Sequence, residues 1–162
     1  MDKSLEILYK IQGQKPTAEA GPDTGPLSNL FHILGVGSLF GSILLIDLRL
    51  LGAWRNIPLA AISRPCVTVA GAGFAIAALT GIGLLATKAT DYQGNPFFYV
   101  KIPAILLGVV NVSALTSTRA WKQHRERELT ASEQSKLSVY GGISLACWFI
   151  AVAAGRMIGY WA

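Results

Sequence analysis

The chain has 162 residues, of which 52% are hydrophobic and only 14% are charged, and its mean hydropathy is +0.45. Soluble domains carry about 25% charged residues, so this composition argues against a soluble globular protein. A formal net charge of +5 would suggest nucleic-acid binding in a soluble chain. Here the basic residues stand at the ends of apolar segments, as they do in membrane proteins. We therefore expect a membrane protein with no nucleic-acid partner.

The first 26 residues are predicted to form a tail that precedes the membrane domain. Apolar residues at Leu5, Ile7, Leu8 and Ile11 give a short amphipathic segment, which suits a helix lying on a membrane surface. The tail carries acidic residues and lacks the basic and apolar regions of a secretory signal peptide.

Four almost uncharged stretches follow the tail, and each is close to the length of a membrane-spanning helix. A hydrocarbon core about 30 Å thick needs roughly 20 residues of helix, and a helix satisfies its backbone polar groups internally. We predict an all-α, polytopic four-helix bundle over residues 27–161, with spans at about 27–50, 65–87, 97–118 and 138–161. The lipid bilayer is the environment that this prediction implies.

A highly charged stretch, residues 121–135, separates the third span from the fourth. It is predicted to continue the third helix beyond the membrane. Positive and negative side chains alternate over residues 121–128. This pattern is typical of either a solvated helix surface or a docking surface for a partner protein.

The distribution of Lys and Arg predicts the orientation. Eight lie on the side of the two connections after the first and third spans, and six lie on the other side. Because the more basic side stays in the cytoplasm, we expect both termini outside, in a bacterial plasma membrane.

Small residues recur at four-residue spacing in three spans: Gly37 and Gly41; Gly73, Ala77 and Gly81; Gly155 and Gly159. Such rows let helix backbones approach closely. Packing within the chain is the favoured interpretation, and a homo-oligomer contact is the alternative. Cys66 and Cys147 are expected to be buried small hydrophobic residues rather than a disulfide.

The polar residues inside the spans are the main functional clues, because ionisable groups in a membrane are costly and usually face the bundle interior. His32, Lys101, Arg156 and Met157 are predicted to share one depth near the outer surface, at about 1.5 Å of rise per residue. They suggest an outward-facing pocket in which His32 is a metal or haem ligand and the two cations bind an anionic or quinone oxygen. The favoured interpretation, however, is a hydrogen-bonded interfacial histidine beside Lys and Arg side chains that extend to the headgroups.

Three ligands suit this pocket: haem b, a quinone or copper. His124 is predicted on the opposite side and so cannot pair with His32 in one chain. Haem would therefore need His32 with Met157, His32 from two protomers, or a single axial ligand. Copper also accepts histidine with methionine, but the chain has no methionine-rich tract or histidine cluster.

A second polar group is predicted nearer the cytoplasm. Asn111 is expected to hydrogen-bond between helices. Asp47 and Arg49 mark the inner boundary and point to different helix faces. We expect Asp47 to pair with Arg64 or Arg119, and Arg49 to contact lipid phosphates.

The first span carries a pattern that resembles a known family. The pattern combines His32, Gly35 and Gly41 with residues 47–52, which read Asp-Leu-Arg-Leu-Leu-Gly. The match continues to about residue 118, at Thr80, Gly81, Leu84, Leu85, Asn95, Pro96, Phe98, Lys101 and Asn111. The chain looks like an uncharacterised bacterial family of four-helix membrane proteins, a domain of unknown function distantly similar to the copper-resistance D (CopD) membrane proteins.

This resemblance implies a copper-handling function. Members of the family often carry another histidine a few residues after the asparagine of the third helix. Here residues 111–117 read Asn-Val-Ser-Ala-Leu-Thr-Ser and contain no histidine. A metal site that needs this second histidine is therefore not expected.

Three functions follow as hypotheses, and none is an enzyme, because the sequence shows no catalytic motif. The first is a non-catalytic accessory subunit of a membrane redox or transport assembly, with protein partners in the membrane. The second is a membrane redox protein that binds haem b or a quinone through His32. The third is a CopD-like copper-handling protein.

Overall fold

The computed structural model describes residues 24–87 and 94–161, and the predicted amphipathic segment of the tail lies outside these ranges. Five helices follow in order: α1 (Thr24–Leu50), α2 (Leu59–Thr87), α3 (Pro96–Ser117), the short α4 (Arg119–Gln123) and α5 (Ala131–Ile158). All except α4 are long and apolar enough to cross a membrane, and no strand occurs in the described residues. The predicted all-α, four-span membrane bundle is therefore confirmed.

The four long helices form an arc rather than a closed ring. Helix α1 packs against α2 and α5, and α5 packs against α3, whereas α2 and α3 barely contact each other. The order around the arc is thus α2, α1, α5, α3. The end of the bundle that carries residues 51–58 and 118–130 is called the loop end. The opposite end, at which α1 begins and α5 ends, is called the terminal end.

Glycines bring the α1 and α2 backbones into direct contact. A Cβ atom on Gly73 would lie 2.7 Å from both the Gly35 carbonyl oxygen and the Leu39 nitrogen. A Cβ atom on Gly35 would lie 2.8 Å from the Ala77 nitrogen. The row that includes Gly73 and Ala77 therefore packs within the chain, whereas Gly37 has no atom within 4 Å of such a Cβ.

The chain breaks between α3 and α4, so the predicted continuation of the third helix is wrong. Thr118 adopts an extended conformation with ψ 146°. Its side-chain oxygen accepts a hydrogen bond from the Trp121 backbone nitrogen at 3.2 Å, which starts α4. Threonine caps helices well because its oxygen satisfies an otherwise unpaired N–H group.

The remaining charged residues of this connection stabilise the start of α5. Thr130 and Glu133 form a capping box, in which each side chain accepts a hydrogen bond from the other residue's backbone. Arg127 forms an ion pair with Glu133 at 2.6 Å. The connection is therefore a structured turn between two helices.

Helix α2 begins earlier than the predicted span, at Leu59, and runs through Pro65. A proline inside a helix removes one backbone hydrogen bond, but helices in membranes tolerate it where neighbouring groups compensate.

The hydrophobic core lies at the loop end, where side chains of every helix meet. Its buried members are Ile46, Leu50, Leu59, Cys66, Leu115, Ala120, Trp121 and Leu137. Leu50 and Leu137 are almost fully enclosed, at 0% and 1% exposure. Cys66 and Cys147 are both buried and free, as expected.

Candidate functional site

The terminal end of the bundle holds His32 in a fixed orientation. Its Nδ1 atom lies 3.0 Å from the Thr80 hydroxyl oxygen on α2. The ring also packs on Gly81, where a Cβ atom would lie 3.0 Å from the His32 Cε1 atom. Glycine at this position thus leaves room for the imidazole between α1 and α2.

The hydrogen bonds around Thr80 define which ring nitrogen of His32 is free. The Thr80 hydroxyl donates to the Ile76 carbonyl oxygen at 2.6 Å. Since that donation uses its only proton, the Thr80 oxygen accepts from His32 and Nδ1 carries the hydrogen. The Nε2 atom is then left with a lone pair. Metal-binding histidines have the same arrangement, in which the second nitrogen donates to a fixed acceptor.

Lys101 approaches the same region from α3. Its Nζ atom lies 3.4 Å from the position of a Cβ atom on Gly155 of α5, and its charge acts on the His32 imidazole. Within residues 24–87 and 94–161, no carboxylate forms an ion pair with Lys101. All four long helices therefore contribute to a half-buried region that contains the Lys101 ammonium group and the His32 imidazole.

Arg156 and Met157 lie near the end of α5 but take different directions. Arg156 is exposed and lies over the Tyr160 ring, with 4.6 Å between its Cζ atom and the ring centroid, and it donates a hydrogen bond to the Tyr160 hydroxyl. Met157 is 43% exposed. Neither side chain has a described contact with His32, so their part in a pocket remains a prediction.

The described residues contain no group of three His, Cys, Asp or Glu side chains that could hold a metal ion. A metal at His32 would therefore need ligands from elsewhere, such as a porphyrin or a second protomer. Haem b, quinone and copper all remain predictions.

Asn111 lies between α3 and α5, as the interpretation of interhelical hydrogen bonding requires. It is 7% exposed, and its Nδ2 atom donates to the Tyr140 carbonyl oxygen at 3.0 Å.

The expectations for Arg49 and for the partner of Asp47 were wrong. Arg49 is 7% exposed rather than at the lipid surface, and its Nε atom donates to the Ile57 carbonyl oxygen at 2.8 Å. It thereby holds the connection between α1 and α2. Among the described residues Asp47 forms no ion pair with Arg64 or Arg119, and both of these arginines are exposed.

The structure also shows a buried polar pair that the sequence interpretation missed. His124 is 7% exposed, and its Nε2 atom lies 2.7 Å from the Ser63 hydroxyl oxygen on α2. Its Nδ1 atom donates to the Trp121 carbonyl oxygen, so the Ser63 hydroxyl donates to Nε2. A sequence separation of 61 residues hid this contact, and the charged neighbours of His124 suggested an exposed loop.

This serine–histidine pair is a structural link rather than a reactive site. A nucleophile and its base adopt similar geometry in enzymes, but Ser63 is 0% exposed and its hydroxyl is enclosed by the protein. Burial holds the pKa of His124 below its usual value of 6.5; the hydrogen bond to Trp121 opposes this shift, and the charge of Arg125 adds to it.

Comparison of the chain with models of protein families, with curated proteins and with solved structures found no match.

Proposed function

We propose that this protein is a non-catalytic accessory subunit of a membrane redox or transport assembly. The observation that supports this proposal is the one-sided packing of α2. Only 11% of its most apolar stretch is buried within the protein, the lowest share among the four spans. Its open face presents small residues beside Leu79 and Ile82, which are 73% and 66% exposed, and small residues let another helix approach closely.

Purification from native membranes in a mild detergent tests this proposal. The protein should co-purify with other membrane subunits at a fixed ratio. Ala75→Trp adds bulk to the exposed face of α2 and should release the partners, whereas Val110→Trp on the exposed face of α3 should not. Purification of the native protein alone, at the size of a single chain, would contradict the proposal.

A redox ligand site at His32 is the second candidate, and two observations favour it. The hydrogen bond to Thr80 leaves the Nε2 lone pair free to coordinate haem iron or to accept a proton from a quinol. Lys101 supplies a positive charge without a carboxylate partner among the described residues, and it would bind a haem propionate or a quinone oxygen. Haem b or a quinone would thus lie at the terminal end.

A reduced-minus-oxidised absorption spectrum of the purified protein tests for haem, and solvent extraction tests for quinone. His32→Ala should abolish either signal, and Lys101→Met should weaken it. Lys122→Met, which removes an exposed charge at the loop end, is the matched control and should leave the signal intact. Loss of the signal in the control would show that the ligand lies elsewhere.

The resemblance to the CopD-like family keeps copper handling as a further alternative. The free Nε2 atom of His32 is a suitable copper ligand. Metal analysis of protein purified after growth with copper distinguishes this alternative from the haem and quinone sites, because His32→Ala would then remove copper without changing the absorption spectrum of an organic cofactor.

The orientation follows from the excess of basic residues at the loop end. We place this end in the cytoplasm and both termini outside a bacterial plasma membrane. Cysteine substitutions at Ser135 and Thr17 test this placement with a membrane-impermeant reagent in intact cells. Thr17→Cys should be labelled from outside, whereas labelling of Ser135→Cys would reverse the assignment.

A further inference from the structure

Asp47 places a carboxyl group inside the bundle, near the loop end. The residue is 2% exposed, and the Ser144 side chain on α5 hydrogen-bonds its carboxyl group. The Oδ2 atom is buried and has no hydrogen-bond partner. The helices are also close here, since a Cβ atom on Gly141 would lie 3.0 Å from the Leu50 Cβ atom. The carboxyl group is therefore enclosed and only partly satisfied.

No basic side chain among the described residues forms an ion pair with this carboxyl group. Among residues 24–87 and 94–161, the one ion pair joins Arg127 to Glu133. Arg49 lies on the same helix, but its Nε atom bonds the Ile57 carbonyl oxygen.

The neighbouring helices supply no cation at this level either. The titratable groups of the adjacent apolar cluster are Cys66 on α2 and Tyr140 on α5, and neither becomes positively charged. Helix α3 contributes Asn111 and Leu115, which do not titrate.

A carboxylate that leaves water without a cation loses its hydration and gains no compensating attraction. Buried groups of this kind lose their charge instead. We propose that Asp47 is a proton-binding site of the membrane-embedded bundle and is occupied in the folded protein as the neutral carboxylic acid. The Ser144 hydroxyl donates a hydrogen bond to this carboxyl group, which joins α5 to α1.

A cavity lies at the loop end, near this site. The cavity has a volume of about 260 Å³ and is lined by Leu50, Leu51, Arg55, Ala131, Gln134, Ser135 and Ser138. Leu50 lies about one helical turn from Asp47. The Gln134 Nε2 atom donates to the Leu50 carbonyl oxygen at 2.7 Å, which joins α5 to α1 beside the cavity.

Infrared spectroscopy of the purified protein in lipid vesicles tests this proposal. A protonated carboxylic acid gives a C=O stretching band that is separate from the carboxylate bands. The native protein should show this band at neutral pH, and Asp47→Asn should remove it. Ser144→Ala should shift its frequency, because the hydrogen bond to the carboxyl group is lost.

Glu128→Gln removes an exposed acidic group and is the control that should leave the band unchanged. Asp47→Glu retains the acid and should move the band without removing it, which covers the case in which Asp47→Asn fails to fold. A native spectrum at neutral pH without the band would overturn the proposal. So would a band that persists in folded Asp47→Asn protein.

Discussion

The two ends of the bundle are held together in different ways. At the loop end, large apolar side chains such as Leu50 and Leu137 are fully enclosed, and the Ser63–His124 pair links α2 to the turn after α4. At the terminal end, apolar residues such as Leu30 and Leu34 are half exposed. There the helices are joined by close backbone contact and by His32 with Thr80.

This difference separates stability from ligand binding. Interlocked side chains resist change because removing atoms leaves a cavity or an unpaired polar group. The terminal end has fewer such contacts, and it holds a free imidazole nitrogen and a lysine that forms no ion pair within residues 24–87 and 94–161. We expect the loop end to maintain the fold and the terminal end to tolerate the changes that ligand binding requires.

The largest effect is expected from a substitution at the close contact between the α1 and α2 backbones. Gly73→Ala should destabilise the protein by about 3 kcal/mol, because its Cβ atom would overlap the α1 backbone, which cannot move as a flexible side chain does. Thermal unfolding in lipid vesicles measures this change. Gly71→Ala is the control, since a Cβ atom there has nothing within 4 Å, and it should be neutral or slightly stabilising. Equal behaviour of the two variants would contradict the close contact.

At the loop end, Ser63→Ala should lower the free energy of unfolding by about 2 kcal/mol, because it leaves the buried Nε2 atom of His124 without a hydrogen-bond donor. Unfolding in the same vesicles provides the measurement. Ser113→Ala is the matched control, since the Ser113 hydroxyl donates only to the Val109 carbonyl oxygen of its own helix. A cost no greater than that of the control would show that the Ser63–His124 bond does not hold the loop end.

The loop end should also lose stability in acid. Because burial lowers the pKa of His124, the unfolded chain binds a proton below about pH 6.5 while the folded chain does not. The His124 contribution to stability is therefore complete above that pH and falls as the pH drops, by at most about 1.4 kcal/mol per pH unit. A proton bound by Asp47 in the folded state acts in the opposite direction, so the comparison is made in Asp47→Asn protein. There the melting temperature should fall between about pH 7 and 5, and adding His124→Gln should flatten this dependence.

The smallest expected effect lies between the two ends. Asn111→Leu should lower the free energy of unfolding by about 0.6–1 kcal/mol, which is the usual contribution of a hydrogen bond between membrane helices. The substitution should leave any cofactor in place. Val110→Leu changes an adjacent exposed residue and serves as the control. Complete loss of a cofactor with an unchanged melting temperature would instead assign Asn111 to a ligand site.

Much of the fold could be predicted from local sequence. Length and hydropathy determined the four spans, because the bilayer requires long apolar helices whatever their neighbours. The spacing of Gly73 and Ala77 likewise predicted close helix packing. The break at Thr118 was missed because a charged stretch suits both a helix extension and a capped turn, and local periodicity does not distinguish them.

The candidate site was predictable in part. The rarity of ionisable residues in apolar spans singled out His32, Lys101 and Asp47 from the sequence alone. Only the tertiary structure showed that Thr80 fixes the His32 ring and that His124 is buried against Ser63. It also showed that Asp47 forms no ion pair in the part of the chain that the structure describes. These facts depend on which helix faces meet, and distant residues determine that arrangement. The sequence thus determined the membrane environment and the unusual side chains, whereas helix packing decided their partners.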